Sequence, residues 1–259
     1  MTAVLERPIP SAGAGPVDVP APHGTPIRRA VMVQRWTDLV FLHWRYPADA
    51  VAALLPEGLV VDTFDGDAWI GLIPFRMEGL GLPRVAPLPH VGAFPEINVR
   101  TYVRAGGRRG VWFFSLDVDR MLPAVAARVG YRLPYCAGAA SHERTERGFE
   151  THVERRWPKI DSPATTHLVV EPGEELIDDP LAHFLTDRWR LFSAGARRSI
   201  RTARVDHPPW PLRVAEPTHV DDRLILAAGL PSPTGSPHAM WSPGVDVRVG
   251  RPRRARLVD

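Results

Sequence analysis

Hydrophobic and polar positions alternate most regularly between Phe94 and Asp117, in FPEINVRTYVRAGGRRGVWFFSLD, and the alternation predicts a β-hairpin. Ile97, Val99, Thr101 and Val103 interleave with Glu96, Asn98, Arg100 and Tyr102, the period of two that gives a strand two unlike faces. Ala105-Gly106-Gly107-Arg108 supplies the turn, because paired glycines accept positive φ, and Val111–Leu116 returns as a strand rich in β-branched and aromatic residues. Packing of the apolar set against a second layer aims Glu96, Asn98 and Arg100, together with Ser115 and Asp117, into one shared interior. A polar strip inside a sheet implies a cavity.

The same reading extends along the chain. Residues 1–28 are rich in Pro, Ala and Gly and bury too little apolar area to offset their ordering entropy, so a disordered tail is expected there. Strands are predicted at Val31–Gln34 and Leu39–Tyr46, and a short helix, opened by Pro47, at Ala48–Leu55. Leu59–Thr63 and Ala68–Met77 read as a hairpin about Asp65-Gly66. Gly79–Phe94 reads as a long binding loop or lid. A helix is expected from Arg120 to Val129, and a hairpin from Ala137–His142 and Phe149–Arg155. Thr166–Val170 is another strand, and Asp179-Pro180 caps a helix running to Leu185. Trp189–Ser193 and Ser199–Val205 form a hairpin about Gly195, and a last helix, Asp222–Ala228, precedes a strand at Val245–Val249. About nine to eleven strands with about three short flanking helices predict a mainly antiparallel β protein closed into a barrel. A single domain over residues 29–250 is expected, with 251–259 as a solvated basic tail.

Composition narrows the classes. The 259 residues carry a net charge of +3, and arginine almost wholly replaces lysine, Lys159 being the single exception. One cysteine, Cys136, excludes an intrachain disulfide and a thiolate metal cluster, which makes a reducing cytoplasm the expected compartment. No apolar run is long enough to cross a bilayer as a helix, so no membrane partner is expected. The basic C-terminal residues lack interleaved aromatics, and no nucleic-acid partner is expected either. Neither GxGxxG nor GxxxxGK[ST] occurs, and no cofactor is expected. The ten histidines include no HxxxH or HExxH pair, and no metal site is expected.

The candidate chemistry is therefore the polar interior: His43 and Arg45, Arg76, Glu96, Asn98, Arg100, Ser115, Arg132, Tyr135, His207 and Trp210. Arginines around one buried glutamate can hold a carboxylate by paired hydrogen bonds, or can close into an internal salt-bridge network without any ligand. Trp44 and Trp210 flank polar residues and are candidates for an apolar pocket wall. Cys136 reads as a buried small residue or as a nucleophile for which no neighbouring base is evident.

FLHW (41–44), DTFDGDAWIGLIPF (62–75), FPEINVRTYV (94–103), GVWFFSLD (110–117), LPY (133–135), HFLTDR (183–188) and DHPPWPL (206–212) together resemble the YqjF-like family of uncharacterised bacterial proteins. That family is placed in the acetoacetate-decarboxylase-like superfamily. The resemblance implies a cone-shaped antiparallel barrel with an internal ligand cavity, often in a homo-oligomer. The superfamily's decarboxylases use a Schiff-base lysine activated by a second lysine. Those two positions fall on Tyr135 and Cys136, neither of which forms an imine. One cavity glutamate is kept at Glu96, whereas another glutamate and an arginine fall on Gly71 and Thr37. Schiff-base decarboxylation is thus not expected. Three readings follow: a cavity that binds a small anionic or carbonyl-bearing molecule as sensor or carrier, with Arg132 and Cys136 among its wall residues; a lyase, isomerase or hydrolase using Glu96 as acid/base, steadied by Arg100 or Arg76, with Tyr135 or His43 as proton donor; or a structural barrel whose polar interior satisfies itself. A cavity of about 300 Å³ or more would favour the first two.

Overall fold

The computed structural model describes residues 26–84, 93–120 and 130–257. In chain order the elements are β1 (Met32–Tyr46), α1 (Ala48–Ala52), β2 (Val60–Val61), β3 (Ala68–Gly81), β4 (Phe94–Ala105), β5 (Arg108–Val118), β6 (Tyr135–Thr145), β7 (Gly148–Trp157), β8 (Thr165–Leu176), α2 (Pro180–Thr186), β9 (Arg190–Ala194), β10 (Ile200–Asp206), β11 (Arg213–Asp222), α3 (Leu224–Ala227), β12 (His238–Val249) and β13 (Arg253–Arg254). The expected mainly β class, with short flanking helices, is the observed one. Among the described residues all strands belong to one sheet, in which only the β5–β6 and β5–β9 pairings are parallel.

The strand pairings return on themselves twice. One circuit runs β5-β6-β7-β8-β11-β12-β1-β3-β4 and back to β5, and the other runs β5-β9-β10-β12-β1-β3-β4. The shared strands send alternate side chains to two cores. Val40, Leu42, Ile70, Leu72, Ile97 and Val99 join Phe149 and Leu168 in one. Leu39, Phe41, Phe75, Met77, Phe94 and Tyr102 join Leu191, Val205 and Val247 in the other. Thus strands buried on both faces lose the simple apolar-in, polar-out alternation.

Two bulges reset that alternation. Asp38, with φ 51°, lies where the β1–β3 register shifts, so Trp36 and then Phe41 face the same core. In β5 the register slips between Arg100 opposite Phe113 and Val99 opposite Ser115, leaving Phe114 without a ladder partner. Val111 and Leu116 consequently share a face, and Ser115 and Asp117 point the other way.

Several sequence expectations are corrected. The two segments expected at Val31–Gln34 and Leu39–Tyr46 are one bulged strand, β1. Val60 and Val61 do not form a hairpin with β3, because β1 and β4 occupy both of its edges; they pair with Val103 and Arg104 of β4. β3 continues to Gly81, into the stretch read as loop, and the helix expected at 120–129 lies largely outside the described residues, as do 85–92 of that loop. β11 and the first half of β12 were not foreseen. Packing begins before residue 29: Ile27 is buried, its N–H donates to Asp206 Oδ2 at 2.9 Å, and its carbonyl accepts from Arg248 Nη2 at 3.1 Å. The basic tail is likewise docked, since Arg253 and Arg254 pair with β10 and Ala255 N–H donates to Ile200 O at 2.8 Å. The free edge of β10 accepts backbone partners whatever side chains they carry.

Candidate functional site

A cavity of about 280 Å³ lies within the second core, bounded by β1, β3, β4, β5, β9, β10 and the end of β12, by residues 130–133 and the first residue of β6, and by the end of α2, Arg188, His207 and Trp210. Its walls are mainly apolar, with Trp36, Met77, Phe94, Phe113, Leu116 and Leu191 among them. The volume falls just under the range common for ligand pockets, about 300–1,000 Å³. Its charged side chains are of two kinds, one glutamate and three arginines.

Glu96 is the acidic one. β4 places it opposite Val118 of β5, and β6 places Tyr135 opposite Leu116, so both face the cavity across the intervening strand. Tyr135 Oη donates to Glu96 Oε2 at 2.8 Å. Burial pushes the Glu96 carboxyl up to about 7, against hydrogen bonds from Tyr135 and Asn98 that favour its charged form. Tyr135 is raised well above the ordinary phenol, by burial first and then by the glutamate beside it. Near neutral pH the carboxyl can therefore gain or lose a proton, while the phenol keeps its own. Asn98 is buried behind Glu96, with its Oδ1 unpartnered among the described residues.

Arg100, Arg188 and Arg190 are the basic ones. None of them forms an ion pair with Glu96. Arg100 donates to Tyr102 Oη at 3.2 Å and to Leu185 O at 3.2 Å. Arg188, almost wholly buried, donates through Nε to Phe184 O at 2.7 Å and through Nη1 to Asp62 Oδ2 at 2.6 Å, and its guanidinium stands 4.4 Å from the Phe184 ring centre. Its Nη2 has no hydrogen-bond partner among the described residues, and burial lowers its pKa. Two further buried donors of lining residues, Trp36 Nε1 and Tyr131 Oη, are unpartnered as well. Three buried donors without a partner thus belong to residues that line one apolar cavity. His207 completes the wall, held by Nδ1 donation to Pro208 O at 2.8 Å and packed against Trp210, with a ring-centre separation of 4.8 Å. Burial lowers its pKa, against hydrogen bonds to backbone carbonyls that raise it. Trp210 stacks on Trp36 at 6.0 Å and donates to Thr186 O.

Of the sequence candidates, the structure brings Glu96, Tyr135, Arg100, His207 and Trp210 to the cavity wall. It does not bring the others. His43 is fully buried one layer behind, with Nε2 hydrogen-bonded to Tyr102 Oη at 2.6 Å. Its ring approaches the backbone of Gly71 so closely that a Cβ there would stand 2.8 Å from Nε2. Arg76 points away from the Glu96 side of the sheet and lies 4.0 Å from Glu78, and Arg45 pairs with Asp67 at the surface. Arg132, with φ 54°, is exposed. The β5 bulge turns Ser115 toward the other core, where it donates to Asp117, which in turn holds Arg155 through two 2.7 Å bonds. Cys136 alternates away from Tyr135 onto that same side and bonds to Pro134 O. Trp44 belongs to the other core and donates to Gly235 O. Arg188 and Arg190 were not singled out from sequence. The signal available was HFLTDRWR, in which the stretch from the end of α2 to the start of β9 carries two arginines amid apolar residues.

The fold is that of solved acetoacetate-decarboxylase-like enzymes. The chain matches the solved structure of enduracididine biosynthesis enzyme MppR with HEPES bound, at TM-score 0.63 and 15% identity over 90% of each chain. It also matches acetoacetate decarboxylase from Legionella pneumophila, at TM-score 0.63 and 12% identity over 92% of this chain and 93% of that one. MppR complexed with pyruvate gives TM-score 0.59 at 15% identity, over 89% and 92%. In sequence, the chain is 33% identical over 220 residues to the uncharacterized protein YqjF of Bacillus subtilis (strain 168), covering 84% of this chain and 89% of that protein. Residues 33–246 match the model of DUF2071, described as an uncharacterized conserved protein, and the chain belongs to that family.

Proposed function

We propose that the cavity binds a small organic anion bearing a carboxylate or a carbonyl, and that Glu96, with Tyr135, transfers a proton to or from it without a covalent intermediate. The observation that carries this reading is the separation of charge. A buried carboxyl of pKa about 7 stands in an apolar cavity whose arginines are not spent on it, and three of its lining residues hold a buried donor with no partner among the described residues, at Arg188 Nη2, Trp36 Nε1 and Tyr131 Oη. A self-satisfied interior would leave no such donors. A carboxylate has the acceptor lone pairs to satisfy them, and a neighbouring carbonyl would present its α-proton to Glu96.

The chemistry excludes an imine at this wall. No lysine lines the cavity among the described residues, and Lys159 is exposed. The pyruvate bound by MppR makes small 2-oxo acids the first probes.

The test is hydrogen–deuterium exchange at C3 of pyruvate and related oxo acids in D2O, followed by proton NMR, with the protein and with Glu96→Gln. Enzyme-dependent exchange that Glu96→Gln abolishes is the expected result. Absence of exchange and of any melting shift across a panel of 2-oxo and 3-oxo acids, with a clean apo mass for protein taken from its own host, would overturn the reading. Borohydride added with a 3-oxo acid should leave the protein mass unchanged.

A further inference from the structure

We propose that Glu150, His152 and His167 form a binding site for one borderline divalent cation of the zinc class on the outer surface of the sheet, away from the cavity. β7 carries Glu150 and His152 two residues apart and so on one face, and His152 pairs directly with His167 of β8. Their opposite face is the core, marked by Phe149, Val153 and Leu168. On β11, Asp221 lies opposite His167, and His219 packs its ring against that of His167 at 4.6 Å between centres. Three neighbouring strands thus concentrate imidazoles and carboxylates on one small patch.

The distances between these groups also suit an ion held among them. His152 Nε2 and His167 Nε2 both lie 3.3 Å from the same oxygen, Glu150 Oε1. N–H···O hydrogen bonds are commonest at about 2.9–3.0 Å, so these two contacts are long ones. Two donors bound tetrahedrally to zinc at about 2.05 Å are about 3.3 Å apart. The three ligand atoms lie within 4.8 Å of one another, and the two imidazole rings stack at 4.1 Å between centres, which gathers the three groups in one small volume. Two imidazole nitrogens and one carboxylate oxygen form the donor set that borderline ions prefer over calcium or magnesium, with the remaining position open to water. The spacing E-x-H on one strand with a cross-strand histidine is not a helix motif, and for that reason the HxxxH and HExxH patterns miss it.

The test uses the untagged full chain, stripped with chelator and titrated with ZnCl2 at pH 7.5 by calorimetry, with Co2+ absorption as an independent readout of tetrahedral coordination. One equivalent of zinc should bind and raise the melting temperature. His152→Ala, His167→Ala and Glu150→Ala should each weaken binding by at least the roughly 10–100-fold that loss of a mere supporting group costs at metal sites. Glu96→Gln should bind zinc as the unaltered chain does. All three substituted residues are at least partly solvent-exposed, so the variants keep the fold. Unsaturable binding, an affinity unchanged in these variants, or loss of zinc on Glu96→Gln would overturn the assignment.

Discussion

Tyr135 Oη donates to Glu96 Oε2 at 2.8 Å although the two residues come from strands that β5 separates. The bond exists because β5 pairs antiparallel with β4 and parallel with β6, which puts Glu96 and Tyr135 at diagonal positions on one face. Desolvation raises both groups, so the pair holds its last carboxyl proton into the neutral range. That is the property an acid/base dyad needs.

The same raised pKa makes Glu96 a measurable term in stability. Its folded value of about 7 lies above the ordinary 4.5, so its stabilising contribution is complete below pH 4.5 and is lost as pH rises through 7. At about 1.4 kcal/mol per pKa unit, the loss is about 3 kcal/mol. Glu96→Gln should therefore gain stability relative to the unaltered chain by about that amount between pH 5 and pH 8.5. Denaturant titrations at four pH values check this, and a pH-independent difference would contradict it.

His142 titrates in the opposite sense. It is buried beneath the Asp38 bulge, with Nε2 donating to Asp38 O at 2.7 Å and Nδ1 accepting from Thr151 Oγ1 at 2.8 Å. Burial lowers its pKa from 6.5 to about 4. Its contribution is thus complete above pH 6.5 and lost as pH falls through 4, when the unfolded chain takes up a proton that the folded chain refuses. His142→Gln should cost about 1–3 kcal/mol at pH 7 by unpairing two buried partners. It should also flatten the fall of melting temperature between pH 7 and pH 4.

The β4–β5 hairpin, its glycine turn and the inward set Glu96 and Arg100 were legible because short-range alternation governs them. Ser115, Cys136, Arg76 and His43 were not. A bulge at Phe114 reverses the parity of β5 after Phe113, and single-strand alternation cannot register an inserted residue. β1 hides its bulge in the same way, since Asp38 interrupts a run that is buried on both faces. β11 was missed because its residues, RVAEPTHVDD, are largely exposed and include Pro217. Arg188 escaped because its identity as a wall residue depends on Asp62, 126 positions away.

The turn itself can be tested apart from the cavity. Gly106 and Gly107 have φ of 52° and 67°, and a Cβ on Gly107 would meet nothing within 4 Å. Gly107→Ala should therefore cost only the left-handed backbone penalty, about 1–2 kcal/mol. At about 2–4 °C per kcal/mol for a chain of this size, a drop of roughly 2–8 °C is expected in a melting scan. Proton exchange on oxo acids should be unaltered, and a larger loss would indicate that strain at the turn propagates along β4.

Arg188 links that chemistry to the stability of the fold, and double substitution separates the two. Asp62 is fully buried and accepts from Arg188, while Arg109 Nε stands 3.3 Å from the same Oδ2 and Arg104 Nε 2.9 Å from Oδ1, the latter close enough for attraction but not aligned for a hydrogen bond. Asp62→Ala leaves Arg188 charged and unpaired in an apolar setting, and should cost about 3–5 kcal/mol. Arg188→Met removes the buried charge, while Arg104 and Arg109 still compensate Asp62, so it should cost less. The double variant should be less destabilised than the sum of the two single variants, since the second change removes the group the first one orphaned. Arg188→Met should nevertheless lose ligand-induced stabilisation by small carboxylates. Retention of that stabilisation in a folded Arg188→Met protein would remove Arg188 from the anion site.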